Sequence, residues 1–331
     1  MADSIIKLAD VVIPSQFSQY TMEQAVEKNA FFRSGIITPN PQLSNLLAVG
    51  AEAGGKTITM PFTKPLSGDA QIPSQDTPVT INNMTTTTDT ARRQILMNSW
   101  GENQLASLLS GHNYMDDIAT RVSDWWSTQF NKTIISTCKG VFASANMTTN
   151  RLDISGATGG AANFSLVSIL KAKFMLGDAH DKITAVAMHS QAYREFLALD
   201  QIATIPLTDG TGTIQQFKPL LCGVLVDDAI PYDPETGITS IYMYGEGVFG
   251  YVCSGAGIIE DEIYRDPRIG MGQQQWITRR QFVLHPLGIE WSEPANMSFP
   301  LASDLEVGAR WTRKKEVKNL PLVEFKYKLQ S

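Results

Sequence analysis

Residues Asp116 to Val141, DDIATRVSDWWSTQFNKTIISTCKGV, contain no proline and a single glycine, Gly140, near the end. Apolar residues fall at Met115, Ile118, Val122 and Trp125, then at Ile134, Cys138 and Val141. Steps of three and four place them on one helical face, which Trp126, Phe130 and Ile135 widen. Asp116 and Asp117 open the segment, where the helix dipole favours negative charge. At about 1.5 Å per residue the rod is roughly 40 Å long. A helix of that length needs other elements packed along it, so this stretch is expected to be the spine of the fold. Core packing is the expected role of Trp125 and Trp126, ahead of a ligand platform.

The segments on either side set up a contrast. Residues 1–48 predict an arm: a short helix with Thr21 as N-cap and Gly35 as stop, between proline-extended stretches. Phe31, Phe32, Leu43, Leu46 and Leu47 are too apolar for a frayed terminus. From residue 49 to 100, KTITMPF and VTINNMTTTTDTARRQILMNSW read as strands around a polar, turn-rich tip. The pair predicts a long hairpin with little core of its own, which is marginal alone and expected to lie on a neighbouring subunit. A short helix from about Glu102 to Leu109 precedes the spine. Residues 151–270 alternate helix and strand after a Gly/Ala-rich loop. They are expected to form an α/β unit with a central sheet, Ser165 and Gly177 bounding its first helix. Residues 271–331 begin with QQQWITRRQFVLHPLGIEW, an apolar strand expected to return beside the spine, and end in a tail with scattered Lys and Arg.

The chain of 331 residues carries a net charge of −6, with 43% apolar and 18% charged residues. No dense basic run precedes the tail, which argues against nucleic-acid binding by charge neutralisation. No apolar run reaches 18 residues, so no membrane span is expected. The opening MADSIIKLADVV lacks the basic-then-apolar order of a signal peptide. Cys138, Cys222 and Cys253 are dispersed and odd in number, which fits neither a disulfide framework nor a zinc site.

Candidate chemistry is sparse. Gly245, Gly247 and Gly250 match G-x-G-x-x-G, but strand-like sequence follows where the dinucleotide fingerprint needs a helix, so a hairpin turn is expected. His112, His180, His189 and His285 show no metal-ligand spacing, and His285 in its apolar strand reads as a satisfied core residue. Asp227 and Asp228, and Glu260, Asp261 and Glu262, read as solvated turns or subunit-contact charges rather than cation ligands. Arg310 to Lys318, RWTRKKEVK, is the one basic cluster. It suits nucleic acid or an acidic partner surface equally. No catalytic, cofactor-binding or metal site is expected, and no cofactor.

With VLVDDAIP (Val224–Pro231), YMYGEGVFGY (Tyr242–Tyr251), YRDPRIGMGQQQWITRRQFVLHPLGIEW (Tyr264–Trp291) and NLPLVEFKY (Asn319–Tyr327) in this order, the chain resembles the major capsid proteins of tailed bacteriophages. These share the Hong Kong phage-type fold with herpesviruses and encapsulins. The resemblance implies an α+β fold with an N-terminal arm (1–48), an extended hairpin or E-loop (49–100), a P-domain with the spine helix (101–150), an α/β A-domain (151–270), and the P-domain return strand with C-terminal tail (271–331). It implies hexamers and pentamers forming an icosahedral shell around double-stranded DNA held without sequence-specific contact. It further implies a virion location after assembly in the host cytoplasm, with a portal, a scaffold and in some systems a decoration protein. The arm begins close to Met1, so the scaffold is expected to be a separate protein. Some members crosslink an E-loop lysine. Lys64 lies in that region but no partner asparagine and glutamate can be matched, so no crosslink is expected. An encapsulin-like compartment is the alternative on the same fold, and an α/β-domain enzyme the alternative outside it.

Overall fold

The computed structural model describes residues 26, 29–41, 43–44, 55–64, 66, 68–73, 75, 78–111, 114–206, 213–253, 258–269 and 272–330. The Thr21 cap, Leu46, Leu47 and His112 lie outside them. The spine helix runs Tyr114–Ala143, thirty residues with Asp116 and Asp117 in its first turn. It bridges two sheets. Around Phe130 it packs on the first sheet, the ring lying edge-on to Phe282 at 5.1 Å and to Tyr251 at 5.8 Å. Toward its end Phe142 stacks on Tyr242 of the second sheet at 5.5 Å. One apolar cluster follows the helix across both sheets, with Trp126, Phe130, Ile134, Cys138 and Val141 fully buried. Trp126 takes the core role expected of it and donates its Nε1–H to Thr278 at 3.0 Å. Trp125 is only half-buried.

The first sheet is built on the late apolar strand. In chain order its members are β1 (Ile37–Pro39), β4 (Gln94–Asn103), β11 (Phe249–Cys253), β12 (Asp261–Asp266) and β13 (Gln273–Pro286), with β2 (Thr57–Thr63) and β3 (Thr86–Arg92) forming a separate hairpin. β13 pairs antiparallel with β4 along ten residues on one side, and with β11 and then β12 on the other. The second sheet has the order β5-β16-β10-β6-β9-β8-β7. Its strands are β5 (Arg151–Asp153), β6 (Ile183–Met188), β7 (Ile202–Pro206), β8 (Thr213–Phe217), β9 (Cys222–Val226), β10 (Ile238–Gly245) and β16 (Leu322–Lys328). Its far face carries helices Leu166–Lys173 and Ser190–Ala198, buried through Ile169, Ala172, Ala192 and Phe196. A ribbon of β14 (Ile289–Trp291) and β15 (Trp311–Arg313) closes against the end of the spine.

Several placements differ from the sequence reading. β16 is not tail: it sits between β5 and β10, inside the second sheet. β11 and β12 belong with β13, although the reading grouped them with the preceding α/β region. The GEGVFG segment is neither a nucleotide loop nor a hairpin, because β10 and β11 lie in different sheets. Gly245 is where the chain crosses over: a Cβ there would stand 2.6 Å from the Lys182 carbonyl oxygen and from Pro321. The described part of the arm packs on its own chain. Asn29 donates to the Ser127 carbonyl and the Asn131 side chain on the spine, Phe31 is buried, and β1 adds parallel to β11.

Candidate assembly surface

The hairpin β2–β3 pairs seven residues on each side, from Thr57–Arg92 to Thr63–Thr86. Its root is fixed to the body by a buried carboxylate. Asp89 Oδ1 lies 2.8 Å from His285 Nε2, and Oδ2 accepts the Gly288 N–H at 2.6 Å. Burial pushes the Asp89 carboxyl up, but His285, the Gly288 amide and Lys315 together hold it below the ordinary value. Arg92 pairs with Glu293 at 2.9 Å, and Lys56 donates to the Met297 carbonyl at 2.8 Å. Ile58, Met60, Ala91, Leu43 and Val283 fill the space between root and body. The root therefore takes its direction from the segment 283–298.

The tip is the opposite of the root. Between Thr63 and Thr86, Leu66, Ile72, Val79, Ile81 and Met84 are 58–91% exposed. The described tip is tied across by the Gln71 side chain, which bonds both the N–H and the C=O of Thr80. Five large apolar side chains thus stand exposed on one protrusion.

A second unfilled surface lies at the far end of β13. Trp100 of β4 and Trp125 of the spine meet edge-on at 5.1 Å. With Tyr114, Ile118 and Ala106 they line a groove of about 850 Å³, rimmed by Glu102, Asp117 and Arg121. The helix beside it, Gln104–Ser110, buries none of its residues and exposes Leu105, Leu108 and Leu109. Gly111 ends it in the left-handed region.

The groups singled out in the sequence are spent inside the chain. His285 is the core residue expected, satisfied by Asp89. His189 caps its helix by accepting from Gln191 N–H, and His180 stacks on Phe174 at 4.3 Å. Asp227 accepts from Asn131, and Asp228 from Ser190 N–H. Asp261 is not a solvated turn: it is buried and pairs with the fully buried Arg280 at 2.7 Å, beside the Trp126 ring. Glu262 pairs with Arg279. The basic cluster is largely neutralised by contacts within the chain: Arg310 with Asp304, Lys314 with Glu290, Lys318 with Asp178. Lys64 stands exposed at the hairpin's outer end. Among the described residues no group of His, Cys, Asp and Glu could hold a metal ion, and no helix is long and apolar enough to cross a membrane. The sequence reading missed Asp89, whose one signal was a lone acid in the strand-like run TTTTDTARR. It also missed Trp100, which carried no signal apart from strand propensity.

No family model matches the chain. The chain is 32% identical over 330 residues to the major capsid protein of Bacillus phage SPP1, covering 98% of this chain and 99% of that one. In structure it is similar to the capsid of Ralstonia phage GP4, with TM-score 0.54, 7% identity and 84% of each chain covered. It is likewise similar to the head of Helicobacter pylori bacteriophage KHP40, with TM-score 0.52, 11% identity and 92% of each chain covered. The structural matches carry the fold and the full-length relative carries the kinship: the chain belongs to the major capsid proteins of tailed bacteriophages.

Proposed function

We propose that this chain is the shell subunit of a phage head, assembling as hexamers and pentamers into an icosahedral shell around double-stranded DNA. The observation that carries this reading is the end-to-end identity with a phage major capsid protein. The exposed apolar tip on a firmly rooted hairpin agrees with it, since such a surface needs a neighbour. A cargo compartment on the same fold is not favoured, because the full-length relative is a phage capsid protein. The role is structural rather than enzymatic. We assign residues 1–48 to the arm and 49–100 to the E-loop. Residues 101–150 and 271–331 form the P-domain and tail, and 151–270 the A-domain, except that β4, β11 and β12 are shared with the P-domain sheet and β16 with the A-domain sheet. A separate scaffolding protein, a portal and a decoration protein are the expected partners, with assembly in the host cytoplasm and residence in the virion. The net charge of −6 suits a lining that repels packaged DNA and lets it slide.

The test is electron microscopy of the full chain, expressed alone and with the products of the genes flanking its own. Closed angular particles of uniform size support the reading. A small soluble species under both conditions overturns it.

A further inference from the structure

β4 uses only one of its two edges. It pairs with β13 along ten residues, and among the described residues no strand pairs with its other side. No backbone bond outside the β13 ladder involves Ile95 to Glu102, and the Ser99 N–H turns to its own neighbour's side chain, Asn98 Oδ1, at 2.9 Å. A free edge of this length is a template for another extended chain. The groove at Trp100 and Trp125 runs along that edge. Ser99, Trp100, Gly101, Glu102 and Asn103 line it in succession. Strand side chains alternate between the two faces, so five successive residues meet one groove only where it follows the strand's edge. The groove thus offers unpaired backbone groups together with two half-buried indole rings. An extended peptide with apolar side chains satisfies both, whereas a helix satisfies only the second.

The arm supplies such a peptide. Asn29 is bonded to the Ser127 carbonyl at 3.1 Å and to the Asn131 side chain at 2.6 Å. Both lie on the spine helix, which forms the groove's other wall through Tyr114, Ile118 and Trp125. From Ser127 to Tyr114 the helix covers about 20 Å. Residues 1–25, outside the described set, lead into this anchor, and fully extended they would span up to about 80 Å. They include SIIKLADVVI (Ser4–Ile13), ten residues with five β-branched side chains, closed by Pro14. That composition suits a strand, and its length matches the ten-residue ladder of β4.

We propose that Ser4–Ile13 adds to the free edge of β4 in the same chain, as one more strand, and lays apolar side chains on Trp100 and Trp125. In the unassembled subunit this strand blunts an edge that would otherwise pair with other chains. The contact belongs to the single subunit, so it stands or falls apart from the shell reading.

The test is hydrogen exchange, read by mass spectrometry, on the full chain kept unassembled by dilution. In the unaltered protein, peptides covering 4–13 and 95–103 should both exchange at least about 100-fold more slowly than unpaired amides. An Ile6→Pro, Val11→Pro double variant places a proline against β4 in any register, because the two positions are an odd number of residues apart. It should speed exchange of the outward amides in 95–103 at least about tenfold, while the 273–286 peptide and the circular dichroism stay as they were. Ile6→Val with Val11→Ile keeps strand propensity and should keep the protection. On the groove side, Trp100→Ala should speed exchange of 4–13 at least about tenfold. Fast exchange of 4–13 in the unaltered chain overturns the proposal, and this reading decides the matter even where the proline variant fails to fold. An unchanged 95–103 peptide in a folded proline variant overturns it as well. So does protection that fades on further dilution, since the strand then comes from another copy.

Discussion

Asp89 loses nearly all of its hydration on folding, and three groups compensate it: the His285 ring, the Gly288 amide and, at longer range, Lys315. Burial alone would raise the carboxyl, yet the balance lies below the ordinary value of 3.8. The folded state therefore holds the ionised form more tightly than the unfolded chain does. That stability is fully present above the unfolded value and is lost as pH falls through the lower folded one. Removing the carboxylate also leaves the Gly288 N–H and the His285 ring buried without their acceptor. Asp89→Ala should cost about 3 kcal/mol at neutral pH, read as a lower urea midpoint with an unchanged slope. The gap between the variant and the unaltered chain should narrow as pH drops below about 4. A gap that stays constant from pH 7 to pH 2 would mean that the ionised carboxylate is not what holds the hairpin root.

At the scale of elements, the spine helix is the feature most legible in the sequence, because its periodicity depends only on its own residues. The partners of each strand are not legible in that way. The segment that becomes β16 reads only as tail, and nothing local says that it inserts between β5 and β10. Likewise GEGVFG reads as a bend, whereas its role is to carry the chain from one sheet to the other. That role is set by Lys182 and Pro321, distant in sequence, crowding Gly245. The assembly surface was half legible: an exposed hairpin tip follows from poor apolar content, but the groove at Trp100 and Trp125 needs the β4–β13 pairing. Gly140 sharpens the point. A glycine inside a helix costs up to about 1 kcal/mol relative to alanine, so the sequence alone recommends Gly140→Ala. In the fold, a Cβ at this position would run into the Leu305 carbonyl, which accepts the Trp311 indole N–H at 2.8 Å. Backbone cannot yield as a flexible side chain does. Gly140→Ala should therefore destabilise the subunit by about 1–3 kcal/mol, visible as a lower melting temperature. A rise would show that helix propensity outweighs the crossing of spine and 302–311 segment.

For the molecule as a whole, the contrast between the hairpin's two ends separates folding from assembly. The root contributes to the subunit's own core through Ile58, Met60, Ala91 and the Asp89 network. The tip contributes nothing comparable: its large apolar residues are exposed, and the described hydrogen bonds of its side chains run within the tip. Loop-closure entropy changes slowly with length, so shortening this exposed loop nearly fourfold shifts stability by only about 1 kcal/mol. Replacing residues 66–83 by two glycines should then leave the melting temperature of the unassembled subunit within about 2 °C of the unaltered chain. In a shell built from these subunits the same deletion removes Leu66, Ile72, Val79 and Ile81, four apolar side chains that a neighbour would cover, at roughly 1.5–3 kcal/mol for each fully buried one. That loss recurs at every subunit, so closed particles should disappear from micrographs although the protein stays folded by circular dichroism. Normal shells from the shortened chain would mean that the tip is a solvent loop. Unfolding of the shortened chain would mean that the tip belongs to the subunit's own core.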